Sequence, residues 1–332
     1  MWYSAEDVLR LERERIFARS WQYAGRAEEV AAPGSFLAAD AGGIPILVAR
    51  DREGTLRAFL NVCRHRGTIL AEGAGRRETI QCPYHAWTYD LDGSLRSAPR
   101  LDELSSDELD GTDLSLAPAA VDTWGPFLFV NPDARADPLA DTLGELPSQL
   151  DPAGLQFHSR ERFELEANWK VAIENFLECY HCPTAHPAFA AEVDVRPEHY
   201  VLDEHPTFLA QHCVARRTGE RGQFHLVFPN TGLNVFPGPP NLSIGPIAPA
   251  GPERTARFLD YFFDPGADER WIEEFLAFDD EIGRQDAALV ERVHRGMRSG
   301  LVDHGLLLPR TERLIGAFQA WVAERLDLQP DV

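Results

Sequence analysis

The sequence has no run of about 18 apolar residues, the length a membrane-spanning helix requires. Its first stretch, MWYSAEDVLRLERERIF, is amphipathic and charged rather than a secretory h-region. A soluble, cytoplasmic protein without a membrane partner is expected. Basic charge is scarce as well: 32 Lys and Arg face 53 Asp and Glu, a formal net charge of −21. Nucleic acid and anionic membrane both need a basic footprint, so neither is expected as a partner. A solvated acidic surface is the simplest account, and steering of a cationic substrate or basic redox partner is the sharper one. No Gly-x-Gly-x-x-Gly is present; the nearest run, EGAGRRE, lacks the third glycine and its strand–helix context. Neither NAD nor flavin is expected to bind. Cysteine is sparse, and its number, five, is odd. That points to metal ligands or free thiols rather than a disulfide framework.

What is present suffices for two cores: 332 residues, of which 44% are hydrophobic. Ser4 and Asp7 suggest a capping box at the start of a helix whose apolar face holds Val8, Leu11, Ile16 and Phe17. Pro33-Gly34 ends it. From 35 to 132 the texture is short β-runs (GIPILVARD, TLRAFLNVC, ETIQCPY, WTYDLDGSL, GPFLFVNP) with Gly, Asp and Asn between them, and LDELSSDELDGTDLS reads as an acidic loop. A connecting stretch follows to about 160. FLAQHCVARR, FHLVFPNTGLNVF, NLSIGPIAP and ARFLDYFF predict antiparallel strands; long helices are predicted at about 268–297 and 312–326. The expected class is α+β: an N-terminal helix (1–34) packing with the larger domain, a small all-β domain (35–132), and a larger domain (133–332) with an antiparallel sheet flanked by helices.

Two clusters of metal-binding side chains stand out. Cys63-Arg64-His65 and Cys82-Pro83-Tyr84-His85 each follow a β-run. Adjacent hairpin tips could therefore pinch one centre. Two thiolates and two imidazoles are the ligand set of a Rieske 2Fe–2S centre, with both Cys on one iron and both His on the other. Cys₂His₂ also suits tetrahedral zinc, but zinc sites usually pair Cys with Cys and His with His, whereas here each pair is mixed.

The second cluster is NFLECYHCPTAH, residues 175 to 186. On a helix, positions three apart lie about 60° apart, which would bring Asn175, Glu178 and His181 to one face. His181 and His186 would diverge by roughly 140° on a straight helix. Pro183 disfavours helix at Cys182, so a bend before His186 is expected to let both imidazoles converge. Two His and a carboxylate make the facial triad of non-haem Fe(II) oxygenases. For the carboxylate, Asp286 falls on an apolar stripe formed by Ile282, Leu289, Val290, Val293 and Met297 of the last long helix but one, with Asp279 as runner-up and a buried salt bridge as the bland account. Cys179 and Cys182 read as packing residues. His212, His225, His294, His304 and Cys213 read as ordinary residues. Phe208, Phe224, Phe228 and Phe236 could line a pocket or fill the core.

Together these motifs resemble the Rieske non-haem iron oxygenases, the α-subunits of aromatic-ring-hydroxylating type, over nearly the whole chain. ERERIFARSWQYAGR, NVCRHRGTIL, CPYHAWTYDLDGSL, NWKVAIENFLECYHCPTAHP and RQDAALVERVHRGMRSG follow the family's order. The resemblance implies a 2Fe–2S cluster on Cys63, His65, Cys82 and His85. It implies a mononuclear Fe(II) on His181, His186 and Asp286. Glu178 would link a cluster histidine of a neighbouring subunit to an iron ligand within a homotrimer, with Asn175 nearby. Electrons would come from a separate NAD(P)H-dependent reductase, a ferredoxin or both. Ala86 and Pro126 stand where the family usually has Gly. Glu at 178, where ring dioxygenases usually have Asp, resembles the branch acting on small quaternary amines. That leans the expected reaction with O₂ toward hydroxylation or oxidative N-demethylation of a small molecule, a quaternary amine or betaine being the candidate, with aromatic ring dioxygenation as the alternative. A Rieske-type electron carrier would leave the C-terminal region idle, and a zinc-stabilised binding protein is a third reading.

Overall fold

The computed structural model describes residues 2–301 and 305–328, so His304 lies outside the described residues. Two compact units emerge, residues 17–139 and residues 1–16 together with 140–332. Their boundary falls at Ile16 rather than at Gly34, because the strand Gln22–Arg26 pairs antiparallel with Phe127–Asn131 and so belongs with the β unit.

In the β unit, a seven-stranded antiparallel sheet runs in the order Gln22–Arg26, Phe127–Asn131, Pro118–Trp124, Leu56–Leu60, Pro45–Arg50, Ser35–Asp40, Ala74–Arg76. A three-stranded sheet (Thr79–Gln81, Thr88–Asp90, Leu95–Ser97) carries the second Cys/His pair in the turn after its first strand. One face of these strands buries Phe36, Leu47, Phe59, Ile80 and Tyr89 in a common core. Ala86 adopts a φ of 60°, the left-handed region that glycine fills without a Cβ penalty. The sharp turn after His85 therefore needs the conformation even though this chain lacks the glycine. The acidic segment predicted as a loop contains short helical turns at Leu101–Glu103 and Ser106–Leu109.

The larger unit is built on a seven-stranded antiparallel sheet ordered Gln156–Leu165, Arg254–Phe263, Asn241–Gly251, Thr231–Val235, Arg221–Val227, Phe208–Val214, Val201–Glu204. At Gly245 the neighbouring strand comes so close that an added Cβ would lie 1.7 Å from the Phe258 carbonyl oxygen. The long helix Glu269–Arg298 starts where Asp268 accepts the Trp271 N–H at 3.0 Å. Val293 turns outward, 47% exposed, and the buried positions of this helix are Ile272, Phe275, Val290 and His294. Its apolar stripe is thus narrower than expected at the C-terminal end. The last helix is Arg313–Arg325.

The first helix, Glu6–Arg15, begins at Ala5 with no side-chain cap, so the Ser4/Asp7 box does not form. Ser4 sits one residue too early, and Glu6 and Asp7 instead favour the positive helix end. Its main anchor is Glu12, fully buried, which takes the Lys170 ammonium and accepts the Trp169 indole N–H at 2.8 Å. Lys170 and Trp169 open the short central helix Trp169–Phe176, while Glu174 near its end accepts from Tyr3 (2.8 Å) and Gln319 (3.0 Å). Burial pushes the Glu174 carboxyl up to about 7. The N-terminal segment and the last helix are thereby both tied to one helix by buried polar groups. Removing one member of such a pair strands the other. Glu12→Ala should cost about 3–5 kcal/mol, read as a loss of unfolding free energy in denaturant titration. A change within 0.5 kcal/mol, as for an ordinary surface substitution, would show that this pair does not hold the helix.

Candidate metal centres and the adjoining cavity

At the first site, Cys63 and Cys82 are buried and free, His65 is exposed and His85 is half-buried. The two imidazoles face each other edge to plane with centroids 4.7 Å apart, and His65 stacks on Trp87 at 4.9 Å. Burial resists ionisation of Cys82, but the backbone N–H groups of Tyr84 and His85, and then the Cys63 side chain, hold its thiol below the ordinary range. The Tyr89 hydroxyl accepts the Arg64 N–H at 3.1 Å, which leaves its own proton for Cys63 Sγ at 3.5 Å. His85 Nδ1 is buried without a hydrogen-bond partner. A Cys82 thiol made acidic by backbone donors, with a second buried thiol and an orphaned ring nitrogen beside it, suits an iron–sulfur cluster that takes both sulfurs and both rings.

The second site forms differently from the helical reading. The central helix stops at Phe176, and residues 177–181 make a turn before the short helices Cys182–Ala185 and Pro187–Glu192. Glu178 causes the break: its Oε2 accepts the N–H groups of both Tyr180 and His181. Pro183 does not bend the chain, because it lies in the first turn of a new helix, where its missing N–H costs nothing. His181 is the residue before that short helix and His186 the one after it, so one helical turn brings the rings together. Cys179 and Cys182 form a disulfide across the turn, with Cα atoms 5.0 Å apart. Both had been expected as free packing residues. The non-helical turn supplies the approach that a straight helix argument could not anticipate.

The Nε2 atoms of His181 and His186 lie 3.2 Å apart, and Asp286 Oδ1 is 2.9 Å from His186 Nε2 and 3.4 Å from His181 Nε2. Asp279 is elsewhere, accepting the Tyr261 hydroxyl proton at 2.7 Å. Adjacent ligands of an octahedral ion held at about 2.1 Å stand about 3.0 Å apart, close to all three separations. The outer ring nitrogens fix the tautomers. His181 Nδ1 donates to Glu178 Oε1, and His186 Nδ1 donates to Gln285 Oε1 at 2.7 Å. Each ring therefore turns its Nε2 atom toward the same point. Gln285, itself held by Glu281 at 2.9 Å, was missed in the sequence; its adjacency to Asp286 was the available signal.

Without a cation, protons must satisfy this group. Burial alone would lower the His181 pKa, but its hydrogen bonds to Asp286 and Glu178 raise it to about 9, and Asp286 falls to about 2 on the same hydrogen bonds despite its burial. A divalent ion must displace that proton. Fe(II) affinity should accordingly climb with pH, by up to about tenfold per unit per displaced proton, and level off above about 9. Anaerobic chelator competition from pH 6.5 upward would measure it. Affinity independent of pH between 7 and 9 would mean that the pair is already unprotonated.

A cavity of about 320 Å³ opens beside these residues. Asn175 and Glu178 line it together with Phe189, Phe224 and Phe236. The three rings are in mutual contact, with centroids 5.2 to 6.3 Å apart. Of the four phenylalanines left open by the sequence, Phe224 and Phe236 thus face the cavity. Phe208 stacks on His205, and Phe228 packs on Trp321. The Tyr200 hydroxyl donates to Gln211, whose amide donates to the Phe176 carbonyl at 2.6 Å and pins the end of the central helix.

Comparison with known proteins bears on both units. Residues 20–109 match the Rieske [2Fe-2S] domain, and residues 152–328 match the catalytic domain of ring-hydroxylating α-subunits. Choline monooxygenase of Beta vulgaris, a chloroplastic protein, is 33% identical over 98% of this chain and 76% of its own length. The carnitine monooxygenase oxygenase subunit of Acinetobacter pittii is 34% identical over 90% of this chain and 84% of its own. The solved structure of a quaternary ammonium Rieske monooxygenase with γ-butyrobetaine superimposes with a TM-score of 0.84 at 32% identity, covering 98% of this chain and 93% of that one. Naphthalene 1,2-dioxygenase from Rhodococcus shares the fold at 21% identity. No helix among the described residues is long and apolar enough to cross a membrane. The chain belongs to the Rieske-type oxygenases of the ring-hydroxylating α-subunit family, oxidoreductases that combine a 2Fe–2S cluster with a mononuclear non-haem iron and draw electrons from a separate partner.

Proposed function

We propose that this protein is the terminal oxygenase component that hydroxylates or oxidatively N-demethylates a small quaternary amine. The observation that carries the reading is the joining of His181, His186 and Asp286 to a cavity walled by three contacting phenylalanine rings. Within the proposal, Cys63, His65, Cys82 and His85 hold the 2Fe–2S cluster and the two histidines with Asp286 hold Fe(II). When bound, that iron supplies O₂ activation at the coordination positions the three side chains leave open. The rest falls to the protein. Gln285 and Glu178 hold the Nδ1 protons and so keep both Nε2 atoms aimed inward. The rings exclude water and attract an ammonium through their π-faces. The net charge of −21 favours arrival of a cation. Relatives named for choline and carnitine support the same substrate class. A Rieske-type carrier would have no use for the cavity. The proposal includes a homotrimer in the cytoplasm, with Glu178 linking a neighbouring subunit's cluster histidine to His181.

Purified protein should carry about three irons per chain, two of them in the cluster. With a surrogate reductase it should consume O₂ when given quaternary amines and not when given aromatic acids. Uptake driven only by aromatic acids would support ring dioxygenation instead.

Glu178 separates two roles. Glu178→Ala removes both the turn cap and the His181 partner, so iron affinity should fall about 10–100-fold. Glu178→Gln keeps an acceptor oxygen for His181 but loses the charge, and should retain iron while slowing oxidation of the pre-reduced cluster in a single turnover. A wild-type rate in that variant would refute the relay.

A further inference from the structure

One cation in the cavity has no counterpart in the metal chemistry. The strand Arg254–Phe263 alternates, with Leu259, Tyr261 and Phe263 buried in the core beneath the long helix and Asp260 on the opposite face paired with Arg160. Arg257 has the parity of Leu259, which turns its side chain toward that same core. Its register neighbours are Phe163 on one side and Ile247 on the other, and both line the cavity, as Arg257 does. The guanidinium thus projects among apolar groups. Its Nε is buried without a hydrogen-bond partner, and Arg257 makes no ion pair among the described residues.

One carboxylate that feels its field is Asp279, which also lines the cavity but accepts the Tyr261 hydroxyl proton. Burial pushes the Asp279 carboxyl up from its ordinary value, and the field of Arg257 offsets this only in part. A half-buried guanidinium with an unmet donor is costly in an apolar wall, and a carboxylate is the partner its planar fork fits best. The lining also holds groups of opposite character: three rings together with the carboxylates of Glu178 and Asp286.

We propose that Arg257 anchors the substrate's carboxylate, so that the amine oxidised here is a zwitterion, a trialkylammonium carboxylate, rather than an amino alcohol. This rests on the quaternary-amine reading above and narrows it. The two ends of such a molecule are sorted by charge, the ammonium toward the rings and acidic side chains and the carboxylate toward Arg257. The acidic protein as a whole would favour a net cation over a zwitterion, so a preference for the acid has to come from a local positive group.

The test uses the anaerobic holoenzyme and calorimetric titration. The probes are trimethylglycine and γ-butyrobetaine, each against its methyl ester, with choline as the alcohol. At least one acid should bind about tenfold or more tighter than its ester and than choline. Arg257→Met should weaken that acid by a similar factor and leave the ester and choline unchanged, while Arg257→Lys should keep part of the preference; wild-type Fe(II) retention at the second site and an unchanged unfolding midpoint show that each variant is folded. The wild-type comparison stands even if the Met variant does not fold. Equal binding of acid and ester, tighter binding of choline, or equal weakening of acid and ester by Arg257→Met would overturn the role of Arg257 while leaving the quaternary-amine reading in place. Binding of none of the five would overturn that reading and this one with it.

Discussion

Two imidazole Nε2 atoms face one another across 3.2 Å, with a carboxylate oxygen closing the third side. Three electron-rich atoms directed at one point repel unless a cation or a proton stands among them. The surroundings do nothing to relieve this. Gln285 and Glu178 take the protons of the outer ring nitrogens, which forces the lone pairs inward. Asp286 sits on a helix thirty residues long, which fixes the position of its backbone beside the two rings. The fold therefore maintains an arrangement whose electrostatics are completed only by positive charge, which is how a protein makes metal binding specific in position.

The supports of this arrangement reach far from it. The turn holding Glu178 and His181 leaves the end of the central helix, and that helix is fixed at its start by Glu12 and near its end by Glu174. Both anchors are buried charge rather than apolar packing. Such contacts contribute little net stability for their number, since desolvation cancels most of the attraction, but they tolerate few alternatives. A helix held by apolar contacts alone could slide by a residue. One held by Lys170 to Glu12 and by Tyr3 and Gln319 to Glu174 has a single register, and register is what an iron ligand set needs.

Legibility in the sequence followed locality. The Cys/His pairs at 63–65 and 82–85 each sit within one turn, so their spacing alone announced a cluster of thiols and imidazoles, and the β-unit around them was readable from its short runs. The pair His181 and His186 was recognisable by type, and Asp286 by its place among apolar neighbours. The route by which they converge was not. Helical periodicity carried no hint that Glu178 would stop the helix by accepting two backbone N–H groups, and Pro183 drew the bend to the wrong residue. The Cys179–Cys182 bond followed from that same missed turn. Arg257 was unreadable for a different reason: which face a strand residue takes depends on register with two neighbours, and a single sequence does not fix it. The first unit boundary at Ile16 was hidden likewise, since Gln22–Arg26 finds its partner about a hundred residues later.

The two metal-binding regions differ in exposure in a way their tasks require. In the β unit the sulfurs are buried while His65 is open to solvent, so a cluster held there would keep its sulfurs sheltered and present a ring edge outward. At the second site His186 is 2% exposed and the ligands border a cavity lined by aromatic rings. Electron transfer needs only a close approach. Oxygen chemistry needs water kept out and the substrate held in place. A guanidinium in that second enclosure is consequently anomalous unless something anionic enters with the substrate, and the same low-polarity wall that makes Arg257 costly when alone makes it selective once a carboxylate meets it.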